Sequence, residues 1–159
     1  MNKLKIFIET TLFNYYFDED RDGHHDTVRM FEAIGEGVYE GYTSTDVVDE
    51  LEDTRSDKKS KMLALINKYN IQVVTTNREV DNLATIYVQS KAIPKKYYID
   101  GYHIANTTIH KLDCILSFNF KHINKNKTKE IVNEINKKMG YKHITICSPK
   151  DVFDENKKE

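Results

Sequence analysis

Four residues have the types and the setting to do chemistry: Glu9, Glu50, Asp100 and Asn119. Glu9 closes the apolar run Ile6-Phe7-Ile8, and Asp100 opens a segment that becomes apolar at Ile104-Ala105. Glu50 lies in the acidic stretch after Tyr42-Thr43-Ser44, and Asn119 stands two residues past Cys114-Ile115-Leu116-Ser117. A carboxylate at the end of a buried run is costly unless a cation or a metal offsets it. Apart from Lys5, at the other end of the run, no Lys or Arg is close in sequence to Glu9. Hard oxygen donors of this kind suit Mg²⁺ or Mn²⁺.

Each of the four also has a plainer reading. Glu9 could cap the next helix. Glu50 has Asp46, Asp49, Glu52 and Asp53 for neighbours and could sit on a solvated helix face. Asp100 could answer a helix dipole, and Asn119 could serve a turn. The histidines have no metal-site spacing. His103 and His110 are seven residues apart and share a helix face with Asp100 and Thr107, a stripe that lines either a cleft or a half-exposed edge. His122, with Lys121, lies just beyond Asn119 and is placed to touch a phosphate. There is no glycine-rich phosphate loop, no nucleophile elbow and no paired CxxC motif.

These residues must be positioned by elements that alternate along the chain. Strand-like runs are expected at 4–8, 42–44, 71–74, 114–117 and 143–147. Helices are expected over 24–36, 45–51, 56–69, 77–88, 99–112 and 127–139, with Val28, Phe31, Ile34 and Val38 as one apolar face of the first. Gly35, Gly37 and Gly41 punctuate its end, Pro94 breaks a later helix, and Pro149 opens a last helical turn. Strands separated by helices predict an α/β fold with a parallel sheet between helical layers. In such a sheet, ligands gather beyond the carboxyl ends of the strands, where the four polar residues fall.

At 159 residues the chain reads as one domain over 1–153, with 154–159 expected as a disordered tail. Charged residues make up 31% and hydrophobic residues 39%, a globular balance. No apolar run is long enough to span a bilayer, and no secretory leader is evident, so no membrane role is expected. Cys114 and Cys147 form neither a disulfide framework nor a zinc motif and read as buried thiols of the reducing cytoplasm. The net charge of −1 hides an asymmetry. Residues 1–55 carry 5 Lys/Arg against 14 Asp/Glu, whereas residues 56–119 (9 against 5) and 120–159 (10 against 6) are each +4. A chain neutral overall can still bind nucleic acid if its basic groups share a face, although charge alone favours ordinary solvated helix surface.

Read in order, the acidic segments resemble those of PIN domains. Ile6-Phe7-Ile8-Glu9-Thr10-Thr11 resembles the opening motif, a strand followed by an acid and Thr/Ser. Thr43-Ser44-Thr45-Asp46-Val47-Val48-Asp49-Glu50-Leu51 resembles the second, and Asp100-Gly101-Tyr102-His103-Ile104-Ala105 the third, of the form D-x-x-H-I-A. Ser117-Phe118-Asn119-Phe120-Lys121-His122-Ile123 is similar to the fourth, in a subgroup of the form S-x-N-x-K-H-I. The close, from Gly140-Tyr141 to Cys147-Ser148-Pro149, is typical of the same subgroup.

The resemblance implies a three-layer α/β/α sandwich with about five parallel strands. It implies a Mg²⁺- or Mn²⁺-dependent ribonuclease, in many relatives the VapC-type toxin of a type II toxin–antitoxin pair. Glu9, Glu50 and Asp100 would bind metal, and Asn119 would take the fourth catalytic position. Thr10 and Ser117 would hydrogen-bond the acids, and Lys121, His122 and His103 would contact RNA. Two departures stand out: the first acid is Glu where Asp is usual, and Asn119 is neutral where many relatives have Asp. An antitoxin and a homodimer follow as partners, with Tyr15, Tyr16 and Phe17 serving either an interface or the core. The alternatives are a PIN-fold RNA- or protein-binding module without catalysis, and an enzyme acting on another phosphoester.

Overall fold

The structure, a computed structural model, describes residues 2–55 and 57–157. The chain alternates β1 (Lys5–Ile8), α1 (Thr10–Tyr16), α2 (His24–Gly35), β2 (Glu40–Ser44), α3 (Thr45–Glu52), α4 (Lys59–Lys68), β3 (Gln72–Val74) and α5 (Arg78–Gln89). A short 3₁₀ turn, Lys95–Tyr97, leads into α6 (Tyr98–Ile109). Then come β4 (Cys114–Leu116), α7 (Asn126–Met139), β5 (Thr145–Cys147) and α8 (Pro149–Lys157).

All strand pairings are parallel, in the order β3-β2-β1-β4-β5. β1 lies at the centre, with Ile6 opposite both Gly41 and Cys114. That place explains its unbroken apolar run: a strand covered on both faces has no solvent side to alternate with. Ile6, Phe7 and Ile8 are wholly buried, each contributing about 1.5–3 kcal/mol of apolar burial. Val73 of the edge strand β3 is exposed instead.

From β1 the chain steps to β2 and β3, then returns across β1 to β4 and β5. Right-handed crossovers taken in opposite directions put their helices on opposite faces of the sheet. The result is the expected three-layer α/β/α arrangement with five parallel strands. The order reverses between β1 and β4, and the crevice beyond their carboxyl ends is the natural ligand site.

Local sequence sets the entry to this crevice. Ser44 caps α3 by accepting from the Val47 amide at 3.2 Å, and Asn77 caps α5 through the Val80 amide at 2.9 Å. Gly41 belongs to β2 rather than to the end of a helix, and glycine is needed there because a Cβ would lie 2.6 Å from Ile34 Cγ2 of α2. Gly23 opens α2 at φ 95°, and a Cβ on it would stand 2.8 Å from the Phe118 ring.

Several boundaries differ from those expected. α2 ends at Gly35, and Val38, assigned to its apolar face, is 55% exposed beyond it. α6 stops at Ile109 rather than at 112. α4 begins at Lys59; Ser56, its expected start, lies outside the described residues. α8 is nine residues long, since Val152 and Phe153 are buried and Phe153 lies under the Arg29 guanidinium. Helix therefore continues through residues 154–157, expected as tail, while 158 and 159 lie outside the described residues. Among the described residues, no helix is long and apolar enough to cross a membrane.

Candidate active site

The switch point gathers the four residues singled out by type. Glu9 follows β1 directly and is 3% exposed. Its Oε1 accepts from the Ser117 hydroxyl at 2.6 Å, the Thr11 hydroxyl at 2.6 Å and the Thr11 amide at 3.3 Å. Glu9 thus does cap α1, with one oxygen. Glu50, in α3, reaches the same place, and its Oε1 accepts from the Thr10 hydroxyl at 2.8 Å and lies 2.5 Å from His103 Nε2. Asp100 stands in the first turn of α6, where the helix dipole favours an anion. Its Oδ2 accepts from Asn119 Nδ2 at 3.3 Å.

Asn119 ties the loop after β4 to this cluster. Its amide donates to Ser117 Oγ at 2.9 Å, and its Oδ1 accepts from the His122 amide at 3.0 Å. Asn124, nearly buried, donates to the Ser117 carbonyl at 3.0 Å and pins the same loop. Thr11 and Asn124 escaped the sequence reading. For Thr11 the available signal was the Thr pair directly after Glu9; for Asn124, two residues past His122, sequence gave none.

One expected role changes. His103 was assigned to RNA, but its side chain is wholly buried beneath the acids, against Phe7 at a ring distance of 6.1 Å, so no ligand in the cleft can touch it. It acts as a counter-charge from below. Burial opposes its protonation, but the Glu50 hydrogen bond and the charges of Glu50, Glu9 and Asp100 outweigh that and hold its pKa above the usual value. Burial likewise opposes the charge of Glu50, and the His103 and Thr10 bonds win, holding the carboxyl below its usual range. His122 is lowered by burial and then by Lys125 and Lys121, so at neutral pH it presents a neutral ring.

Asp100 is pushed up to about 6, by burial first. Glu9 and Glu50 add to the rise, against the opposing pull of His103 and Asn119. A carboxyl raised by burial, with two neighbouring carboxylates adding to the rise, sits where a cation would lower its pKa again. Each acid also leaves an oxygen over. Among the described residues no hydrogen bond reaches Glu9 Oε2, Glu50 Oε2 or Asp100 Oδ1. These hard, unpartnered oxygens fit Mg²⁺ or Mn²⁺ in kind. No three His, Cys, Asp or Glu side chains among the described residues already converge on one point. The fit is therefore to a cation that keeps much of its water and takes one or two carboxylates, the usual habit of Mg²⁺.

No protein-family model matches the chain, and no curated protein matches it. Solved structures do. Mycobacterium tuberculosis VapC20, described as a sarcin-ricin loop cleaving toxin, superposes with a TM-score of 0.55 at 12% identity, covering 74% of this chain and 92% of that one. VapBC2 from Rickettsia felis, bound to a DNA fragment from their promoter, gives 0.54 at 12% identity, covering 74% and 90%. The chain has the fold of the VapC toxins. Its VapC-like, PIN-like architecture agrees with the fold inferred from the motifs.

Proposed function

We propose that the protein is a PIN-type endoribonuclease that needs Mg²⁺ or Mn²⁺ and is the toxin of a type II toxin–antitoxin pair. The observation behind this reading is the carboxylate cluster at the β1/β4 switch point. Three acids each have one oxygen held by protein donors or His103 and another without a partner among the described residues. The VapC fold supports the same class, and the two similar structures, one a toxin that cleaves the sarcin-ricin loop and one a VapBC complex, support RNA as substrate and an antitoxin as partner. A homodimer acting in the cytoplasm completes the proposal.

A bound divalent cation supplies positive charge that acidifies water and offsets the charge building on a phosphodiester under attack. Glu9, Glu50 and Asp100 are the groups that would hold it, one or two directly and the others through its water. Ser117 and Thr11 fix the Glu9 carboxylate, and Thr10 with His103 fixes that of Glu50, so neither reorients when substrate arrives. Asn119 keeps Asp100 facing the cleft and, being neutral, leaves the site one negative charge lighter than a fourth aspartate would. Lys121 and His122, on the same loop, meet the RNA backbone, which gives affinity without sequence choice.

The test is cleavage of a labelled single-stranded RNA with Mn²⁺, with and without chelator, beside Asp100→Asn. Chelator-sensitive cutting that the variant loses is the expected result; cutting that survives the substitution would place the activity elsewhere. The neutral Asn119 favours one rival, a PIN-fold binding module without catalysis. Calorimetry with Mn²⁺ separates the two: the rival predicts no binding above background, the nuclease predicts a saturable site.

A further inference from the structure

The cleft has an aromatic rim that the acids do not use. Among the described residues the exposed aromatic rings are Tyr97 (41%), Tyr98 (54%) and Phe120 (58%). Two of them adjoin the acid cluster: Tyr97 caps the helix that carries Asp100, and Phe120 follows Asn119, whereas Tyr98 meets the edge of Tyr102. The two segments are joined twice, by the Asn119–Asp100 hydrogen bond and by the Tyr97 ring stacked on His122 at 4.1 Å and 24°.

Phe118 and Phe120 show two fates for neighbouring rings. Phe118 lies flat on Tyr15 at 3.9 Å and 3°, with the Arg21 guanidinium 5.0 Å from the Tyr15 ring, so its stacking partner comes from within the chain. Phe120 meets only the edge of Phe118, at 6.4 Å and 68°, and contributes little to the core. Basic groups accompany the rim: Lys96 Nζ is 5.8 Å from the Tyr97 ring, and Lys95 and Lys121 are exposed beside it. Exposed rings interleaved with lysines are the means by which proteins hold unpaired nucleobases, the rings taking the π-faces and the lysines the phosphates.

We propose that Phe120 and the Tyr97–His122 stack are the base-holding positions of this site, each taking an unpaired nucleobase next to the phosphodiester that the acid cluster addresses. This deepens, and rests on, the ribonuclease reading. It makes Phe120 and Tyr97 specificity-determining residues, because an RNA whose bases stay paired beside the bond cannot use them. Stacking is nearly independent of salt, whereas the lysine contacts weaken as salt rises.

The experiment measures binding without turnover: anisotropy of a short labelled single-stranded RNA on the Asp100→Asn protein, in chelator. Adding Phe120→Ala, or Tyr97→Ala, should weaken binding roughly 5- to 100-fold per lost base contact with the salt slope unchanged. Phe120→Trp should restore it, and Lys121→Ala should lower the salt slope instead. Abasic residues in the RNA should reproduce the Phe120→Ala loss and add nothing on top of it. Equal affinity of Phe120→Ala and its parent, or no RNA binding at all, overturns the proposal. So does a Phe120→Ala loss that abasic RNA shows undiminished. A protein that binds RNA through Phe120 yet cuts none with Mn²⁺ would sink the ribonuclease reading and leave the stacking positions standing.

Discussion

A buried polar cluster between three helices and the acid cluster at the β1/β4 crevice differ in how far they are closed. Between α5, α6 and α7, the Tyr87 hydroxyl donates to Asn136 Oδ1 at 2.5 Å and meets Thr108 Oγ1 at 3.1 Å. Asn136 Nδ2 in turn donates to Thr108 Oγ1 at 3.2 Å and to the Lys142 carbonyl at 3.4 Å. Burial pushes the Tyr87 hydroxyl far up, so the cluster stays neutral, and its donors and acceptors serve one another. At the β1/β4 crevice, by contrast, three carboxylates face one histidine and keep oxygens without a partner among the described residues. Satisfied polar networks rigidify a core; an unsatisfied charged one costs stability and is kept for a ligand.

The strongest way to break this contrast is at its charged end. Asp100→Asn should lower RNA cleavage by at least about 10³-fold, ~4 kcal/mol of barrier, while the protein stays folded by circular dichroism. The neutral cluster should answer in reverse. Asn136→Ala removes the acceptor of the Tyr87 hydroxyl and leaves that hydroxyl only Thr108 Oγ1, so it should cost about 1–3 kcal/mol in urea unfolding, with cleavage per folded molecule unchanged. If Asn136→Ala cost nothing in stability, the closed network would not be the brace its geometry suggests.

A smaller effect follows from the charge deficit. The Asp100 carboxyl lies at about 6 in the folded, metal-free chain, above its ordinary 3.8. A carboxyl raised on folding stabilises the fold fully below its unfolded value and loses that contribution as pH rises through about 6. In chelator, wild type should therefore lose on the order of 2 kcal/mol relative to Asp100→Asn between pH 4 and pH 7.5. Added Mn²⁺ at pH 7.5 should raise the unfolding midpoint of wild type more than that of the variant. Parallel pH profiles for the two proteins would contradict the deficit. The smallest change concerns orientation alone. Thr10→Val removes one donor to Glu50 and leaves His103 in place, so cleavage should fall only a few-fold and stability by less than about 1 kcal/mol.

Much of the frame was legible before any coordinates. Ile6-Phe7-Ile8 reads as a strand covered on both faces because that is the pattern such burial imposes, and Asn77 marks the start of a helix through its own side chain. Glu9 and Asn119 were placed at strand ends by counting along the chain, which needs no tertiary knowledge. The misplaced boundaries, at Val38 and at the tail, lie where packing decides. Phe153 holds α8 together through contacts with α2, more than a hundred residues away in sequence.

Sequence by itself determined the local quantities: which residues are acids, which runs are apolar, where helices begin, and that motifs in this order resemble PIN domains. Only the tertiary structure decided the rest, because it depends on which distant segments meet. Strand order placed β1 beside β4 and so brought Ser117 to Glu9, 108 residues apart. The rotation of α6 in the fold put His103 under Glu50 rather than toward RNA. Spacing along a helix gives neighbours on that helix, but the side facing the core is set by what packs against it. For the same reason the meeting of Tyr97 with His122, and the freedom of Phe120 beside a covered Phe118, belong to the fold and not to the string of residues.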